Sequence, residues 1–182
     1  MSCILKTRGP LDSSFSGSLV RCGSVRVSGI NVFYREAGVG HGLGRTGFTS
    51  TSVESLSAEP PRLMVILSED SSSRKGLQEY PYFSVNILRA GHQELADQFA
   101  GRGGLKGPNR YRGRKSSSLL SDDSAILGGA LVAINCVVED VSSRDGHTIV
   151  IGRVRAITDH ADGEPLPYSQ GNYRHISQSQ SA

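Results

Sequence analysis

The 182-residue chain has no tryptophan, 6% aromatic residues and three cysteines, and it contains no uncharged apolar run long enough for a membrane-spanning helix. Each scarcity excludes something. Cys3, Cys22 and Cys136 are odd in number, far apart and outside any CxxC, so neither a disulfide framework nor a zinc site is expected. No His/Asp/Glu grouping has metal-ligand spacing, and no metal is expected. Twenty Lys and Arg against 17 Asp and Glu leave +3, too little for a global field that draws the chain onto nucleic acid or lipid. A GxGxxG after a strand, a P-loop, a GxSxG and a Ser/His/Asp order are all missing, which removes the commonest nucleotide and acyl-transfer signatures. The opening MSCILKTRGPLDSS lacks the apolar centre of a secretory signal, and the expected location is cytoplasmic.

What is present is a β pattern. With 37% hydrophobic and 20% charged residues the chain is too apolar for wholesale disorder, and its length suits one main core. Runs at 62–67 (RLMVIL), 82–88 (YFSVNIL), 130–138 (ALVAINCVV) and 148–157 (TIVIGRVRAI) are rich in Val and Ile and bounded by turn residues, as strands are. Gly152 inside the last run marks a bulge, and Cys136 reads as a buried thiol that packs as a small hydrophobe. One amphipathic helix is predicted over 93–99, ended by Gly101 and Gly103, and a second short one over 72–79 before Pro81. Residues 1–28 are irregular, 29–176 form the domain, and 177–182 are a low-complexity tail.

Three segments carry candidate chemistry. Residues 47–56 (GFTSTSVESL) hold five hydroxyls and read either as a polar loop or as donors to a phosphate, a ribityl chain or a ring carbonyl. A second hydroxyl cluster, 68–75 (SEDSSSRK), follows the next strand and opens the second helix, where anions are favoured although Glu69 and Asp70 oppose them. The stretch 101–115 (GRGGLKGPNRYRGRK) has six cations and no acid. It reads as a solvated loop, as a loop closing over dinucleotide phosphates, or as a nucleic-acid-binding arm with Tyr111 to stack on a base. His147 stands at the entry to the last strand, suited to face a cleft or to satisfy backbone in a turn, and His92 precedes the helix.

Taken in order, GRTGFTSTSVESLSAEPPRLMVIL, YFSVNIL, HQELADQFAGR, GPNRYRG, GALVAINCVVED, GHTIVIGRV and PLPYSQGNYR make the chain resemble the flavin reductase-like family. The pieces are individually weak and specific as a set. The resemblance implies a mainly β fold, an antiparallel Greek-key split barrel with a few short helices, assembled as a homodimer. It implies an NAD(P)H:flavin oxidoreductase that binds FMN or FAD and passes electrons to a partner monooxygenase or to a cobalt corrinoid, cob(II)yrinic acid a,c-diamide. It also implies site residues. Thr49, Ser50, Thr51, Ser52 and Val53 would contact the flavin from the first segment and Ser68, Ser71 and Ser72 from the second. Asn86 and Phe99 would lie nearby, His147 would face the nicotinamide, and Tyr173 would be the aromatic of the C-terminal motif. The N-terminal part departs from the family's opening helix, although a strand over 29–35 can occupy the usual place. From another class, the alternative is a non-enzymatic nucleic-acid-binding module that uses residues 101–115.

Overall fold

In the stretch 62–67, Leu63, Val65 and Leu67 alternate with Arg62, Met64 and Ile66, so an extended backbone must send the first set to one face and the second to the other. The computed structural model, which describes residues 29–34, 46–74, 76, 80–111, 126–159 and 163–175, realises that pattern: the first three are buried and the others half-exposed. The expectations for residues 1–28 and 177–182, for most of the helix predicted over 72–79, and for Arg112, Arg114 and Lys115 lie outside the described residues. Of that helix, Arg74 and Gly76 are helical.

The described strands are β1 (Gly29–Tyr34), β2 (Thr46–Ser50), β3 (Val53–Ala58), β4 (Pro61–Ser68), β5 (Tyr82–Ile87), β6 (Val132–Arg144), β7 (His147–Asp159), β8 (Tyr168–Ser169) and β9 (Asn172–Tyr173). The last two form a small hairpin, and the rest make one antiparallel sheet in the order β2-β1-β5-β6-β7-β4-β3. Its two edge strands are consecutive in sequence. In a flat sheet seven strands wide they would stand roughly 29 Å apart, whereas the three Cα steps from Ser50 to Val53 reach about 11 Å at most. The sheet therefore curls until its edges meet, and the expected antiparallel barrel follows from connectivity alone.

Inside the barrel, Phe48, Leu63, Val65, Leu67, Phe83, Val85, Ile134, Cys136, Val150 and Val154 form the main core. Cys136 is a buried core thiol, as expected, and burial pushes its pKa up to about 12. Gly152 faces a bulge, as expected, and has a second reason besides. The irregular register lies on the neighbouring strand, between Val138 and Asp140, while a Cβ on Gly152 would run into the Phe83 ring and press on Cys136. The glycine is there for close approach.

The predicted helix, α1 (Gln93–Phe99), presents Leu95, Ala96 and Phe99 to a second, smaller core with Leu88, Leu127, Ala130 and Leu166. It ends where Gly101 adopts φ 81°, a left-handed conformation suited to glycine.

Candidate functional site

The start of β3, the end of β4 and the start of β7 lie side by side at one end of the sheet. Val53 is opposite Val65, the Ile66 amide donates to the Ser52 carbonyl at 3.1 Å, and Ser68 is opposite His147. Strand spacing alone puts Ser52 and His147 roughly 12 Å apart, with the end of β4 between them. The two hydroxyl clusters and the histidine, some 80 positions away in sequence, are thus brought together. Two strands account for most of the segment 47–56, leaving only Thr51 and Ser52 as the turn between β2 and β3. On the outer face beside this end, Met64, Ile66, Ile149 and Ile151 are half-exposed and form an apolar strip bordered by Ser68 and His147.

How each hydroxyl is used separates those ready for a ligand from those holding the fold. Ser50 Oγ accepts from the Ser52 amide at 2.9 Å, Ser68 Oγ from the Asp70 amide at 3.2 Å, and Ser71 Oγ from the Ser73 amide at 3.3 Å. All three are tight serine turns in which the side chain only accepts, so three O–H donors stay available. The Ser52 hydroxyl is half-buried and makes no hydrogen bond with another described residue, and Ser72 is exposed. Thr49 differs, because its hydroxyl donates to the Ala96 carbonyl of α1 at 2.7 Å and ties β2 to the helix. Ser73 is buried, donating to the Gly47 carbonyl at 3.0 Å and lying 3.1 Å from the Thr46 hydroxyl.

His147 is exposed, directly after a two-residue turn in which Asp145 and Gly146 have φ 49° and 75°. An Asp-Gly pair in this conformation is a strong hairpin former, and it aims the first residue of β7 at the sheet end. The imidazole Nδ1 lies 3.0 Å from the Asp145 carbonyl. A carbonyl can only accept, so Nδ1 is the donor in this contact and Nε2 is the ring nitrogen left for a ligand. The Glu69 amide donates to the Gly146 carbonyl at 2.9 Å, which locks the second hydroxyl turn to this hairpin.

The other three predicted residues sit elsewhere. Asn86 is fully buried in β5, where its amide donates to Ser84 Oγ at 3.0 Å and its carbonyl accepts from the Leu127 amide at 2.8 Å. Phe99 is buried beneath α1, edge-on to Tyr111 at 5.1 Å between ring centroids. Tyr173 reaches the other side of the helix, donating to Asp97 Oδ1 at 2.7 Å. Arg102 pairs with Asp97 at 3.1 Å and donates to the Tyr168 hydroxyl at 3.0 Å. Burial, with the bond to Asp97, pushes the Tyr173 phenol above its ordinary pKa. These contacts latch the β8–β9 hairpin onto α1.

Sequence reasoning missed Arg110. Within the basic stretch, Arg102 and Lys106 are exposed as a solvated loop requires, but Arg110 is buried and hydrogen-bonded to Gly47, Ser73 and Leu105. No residue type in the stretch distinguishes it. The hint was Tyr111 beside it, whose ring must be covered. Among the described residues no three His, Cys, Asp or Glu side chains could hold a metal ion, and no helix is long and apolar enough to cross a membrane.

Residues 37–177 match the family described as the flavin reductase like domain. The chain belongs to that family. It is 35% identical over 131 residues, 72% of its length and 74% of the relative's, to an FMN reductase (NADH), RutF 2, of Methylorubrum extorquens. It is 31% identical over 130 residues, 71% and 78% of the two lengths, to the reductase component of 4-hydroxyphenylacetate 3-monooxygenase of Thermus thermophilus. Among solved structures, a flavin reductase domain protein from Arthrobacter sp. FB24 superposes with a TM-score of 0.70 at 26% identity, over 92% of this chain and 99% of that one. The fold is also that of BorF, the flavin reductase component of a bacterial two-component tryptophan halogenase, with a TM-score of 0.71 at 21% identity over 92% and 100%. The expected oxidoreductase class, with a flavin and a nicotinamide as its redox pair, is borne out.

Proposed function

We propose that this protein is an NADH-dependent FMN reductase that supplies reduced flavin to a separate monooxygenase, and that the flavin binds where β3, β4 and β7 converge. The carrying observation is the convergence there of free hydroxyl donors with His147. The names of the relatives from Methylorubrum extorquens and Thermus thermophilus support the choice of donor and acceptor. The O–H groups of Ser50, Ser68 and Ser71, with Ser52, Thr51 and Ser72, donate to the phosphate and polyol oxygens of the cofactor, and Val53 lines the turn. The strip of Met64, Ile66, Ile149 and Ile151 gives the ring system an apolar wall. These residues fit a flavin, which is a flat apolar ring with a hydroxylated, anionic tail.

Bound flavin supplies the redox chemistry by accepting a hydride from NADH. The chain's own residues bind, orient and exclude water. His147 positions the nicotinamide, with Nε2 accepting from its carboxamide N–H while the Nδ1 bond to Asp145 fixes the ring. Asn86, Phe99 and Tyr173 act one step back, by holding the second core and the helix against which β2 is tied. Residues 29–176 act as the working domain, and a second copy of the chain completes a cytoplasmic homodimer. The described half of the basic stretch argues against the nucleic-acid module. Arg110 is interior and Arg102 is paired, which leaves Lys106 as its exposed, unpaired cation.

The test is NADH oxidation by the purified chain with FMN present, followed by stopped-flow reduction of the bound flavin. Flavin-dependent oxidation is expected. Misplacing a hydride donor by about 1 Å costs on the order of a hundredfold in rate, so His147→Ala should slow reduction to that extent with flavin affinity and melting temperature unchanged. Well-folded protein that shows no flavin-dependent NADH oxidation overturns the reading.

A further inference from the structure

Arg110 carries an inference that neither the fold nor the reaction requires. It lies in the 3₁₀ turn Gly107–Tyr111 with 7% of its surface exposed, and among the described residues no carboxylate pairs with it. Its guanidinium is instead closed on neutral acceptors from three segments. Nη1 donates to the Gly47 carbonyl at 2.6 Å and lies 3.5 Å from Ser73 Oγ, while Nε donates to the Leu105 carbonyl at 3.2 Å. Gly47 is in β2, three residues before the turn that begins at Ser50. Ser73 ends the serine turn after β4, and its own hydroxyl donates to that same Gly47 carbonyl. One buried cation therefore sits at the joint between the two hydroxyl turns. The joint is held from the other side as well, since Gln98 Nε2 of α1 donates to the Arg110 carbonyl at 2.6 Å. Burial without a counter-charge disfavours the charged form and lowers the pKa of the group, so a position needing packing alone would be better served by an apolar side chain.

We propose that Arg110 is a positioning residue for the cofactor site: its guanidinium, anchored through Nε on the Leu105 carbonyl and bridging the Gly47 carbonyl and Ser73 Oγ through Nη1, sets the spacing between the 50–52 turn and the 68–73 turn, and thereby sets flavin affinity without touching the flavin. The proposal rests on the placement of flavin given above. Lysine keeps the charge but has a single nitrogen, so it cannot hold the Gly47 and Leu105 carbonyls from two fixed donors as Nη1 and Nε do.

The test compares wild type, Arg110→Lys and Ser73→Ala as full chains, using FMN titration, the Michaelis constant for NADH and amide exchange of the flavin-free protein. Arg110→Lys should weaken FMN binding roughly tenfold, as loss of one charged hydrogen bond does. The Michaelis constant for NADH should not change. Exchange should quicken in both 47–53 and 68–74. Ser73→Ala, which removes only a hydroxyl, should move FMN affinity the same way by a smaller factor, and the double variant should bind no more weakly than Arg110→Lys alone. A lowered melting temperature with wild-type FMN affinity and wild-type exchange in the two turns would make Arg110 merely structural and overturn the proposal. Wild type that fails to bind FMN overturns the flavin placement instead. In that case, quickened exchange in both turns of Arg110→Lys still supports the joint, and unchanged exchange refutes it.

Discussion

The sheet end that gathers Ser50, Ser52, Ser68, Ser71 and His147 contrasts with the helix side that holds Asn86, Phe99, Asp97 and Tyr173. Both are rich in polar groups, yet the two treat them oppositely. At the sheet end the serine side chains accept from amides two residues on and leave their O–H donors without a partner among the described residues. On the helix side donors meet acceptors within the protein: Asn86 to Ser84 and Leu127, Tyr173 to Asp97, Arg102 to Asp97 and Tyr168. The lesson is that polarity alone does not single out a candidate site, whereas unused donor capacity at a strand terminus is what the proposed one offers a ligand.

Three substitutions sharpen this contrast. The largest loss should come from the main core of the barrel: Gly152→Ala forces a methyl into the Phe83 ring and should cost about 3 kcal/mol by overpacking, read as a lower denaturant midpoint. Asn86→Ala comes next. It leaves the Leu127 amide without its acceptor inside the second core and should cost roughly 2 kcal/mol, again read by denaturation, with the flavin site affected only through the fold. The smallest change in stability should come from Ser52→Ala at the sheet end, where no described partner is lost. A hydrogen bond to the flavin worth about 1 kcal/mol should disappear, weakening affinity several-fold in titration while the melting curve stays put. If Ser52→Ala unfolds the protein more readily than Asn86→Ala does, the contrast fails.

Much of this was legible in the residues. The runs at 62–67, 82–88 and 93–99 appear as β4, β5 and α1 within a residue or so, because apolar periodicity is a local property that burial reinforces. The segment 47–56 was harder. Its Ser and Thr residues suit turns as well as strands, and only pairing of β2 with β1 and of β3 with β4 decides in favour of strand. The stretch 130–138 was found, but β6 runs on to Arg144, since its polar second half is held by β7 rather than by hydrophobic burial. Of the residues predicted to meet the cofactor, Ser50, Ser68 and Ser71 stand in tight turns, as their type suggests. The internal bonds of Thr49 and Asn86 were not legible, because a hydroxyl or amide aimed at a distant carbonyl or amide looks in sequence like one aimed at a ligand. Arg110 was hidden for the same reason: six cations in one stretch look alike until the chain folds one of them inside.

The chain joins the barrel's two edges through the two residues Thr51 and Ser52, and Ser73 and Arg110 tie the same seam at Gly47. That makes the turn a seam as well as part of the proposed site, for whatever grips Ser50 of β2 on one side and Ser68 of β4 on the other also clasps the sheet shut. A ligand fastened across the seam favours the closed state by mass action and leaves the open one alone. On the proposed placement, cofactor occupancy and barrel closure are one equilibrium viewed from two directions, and the loaded protein should be the more rigid.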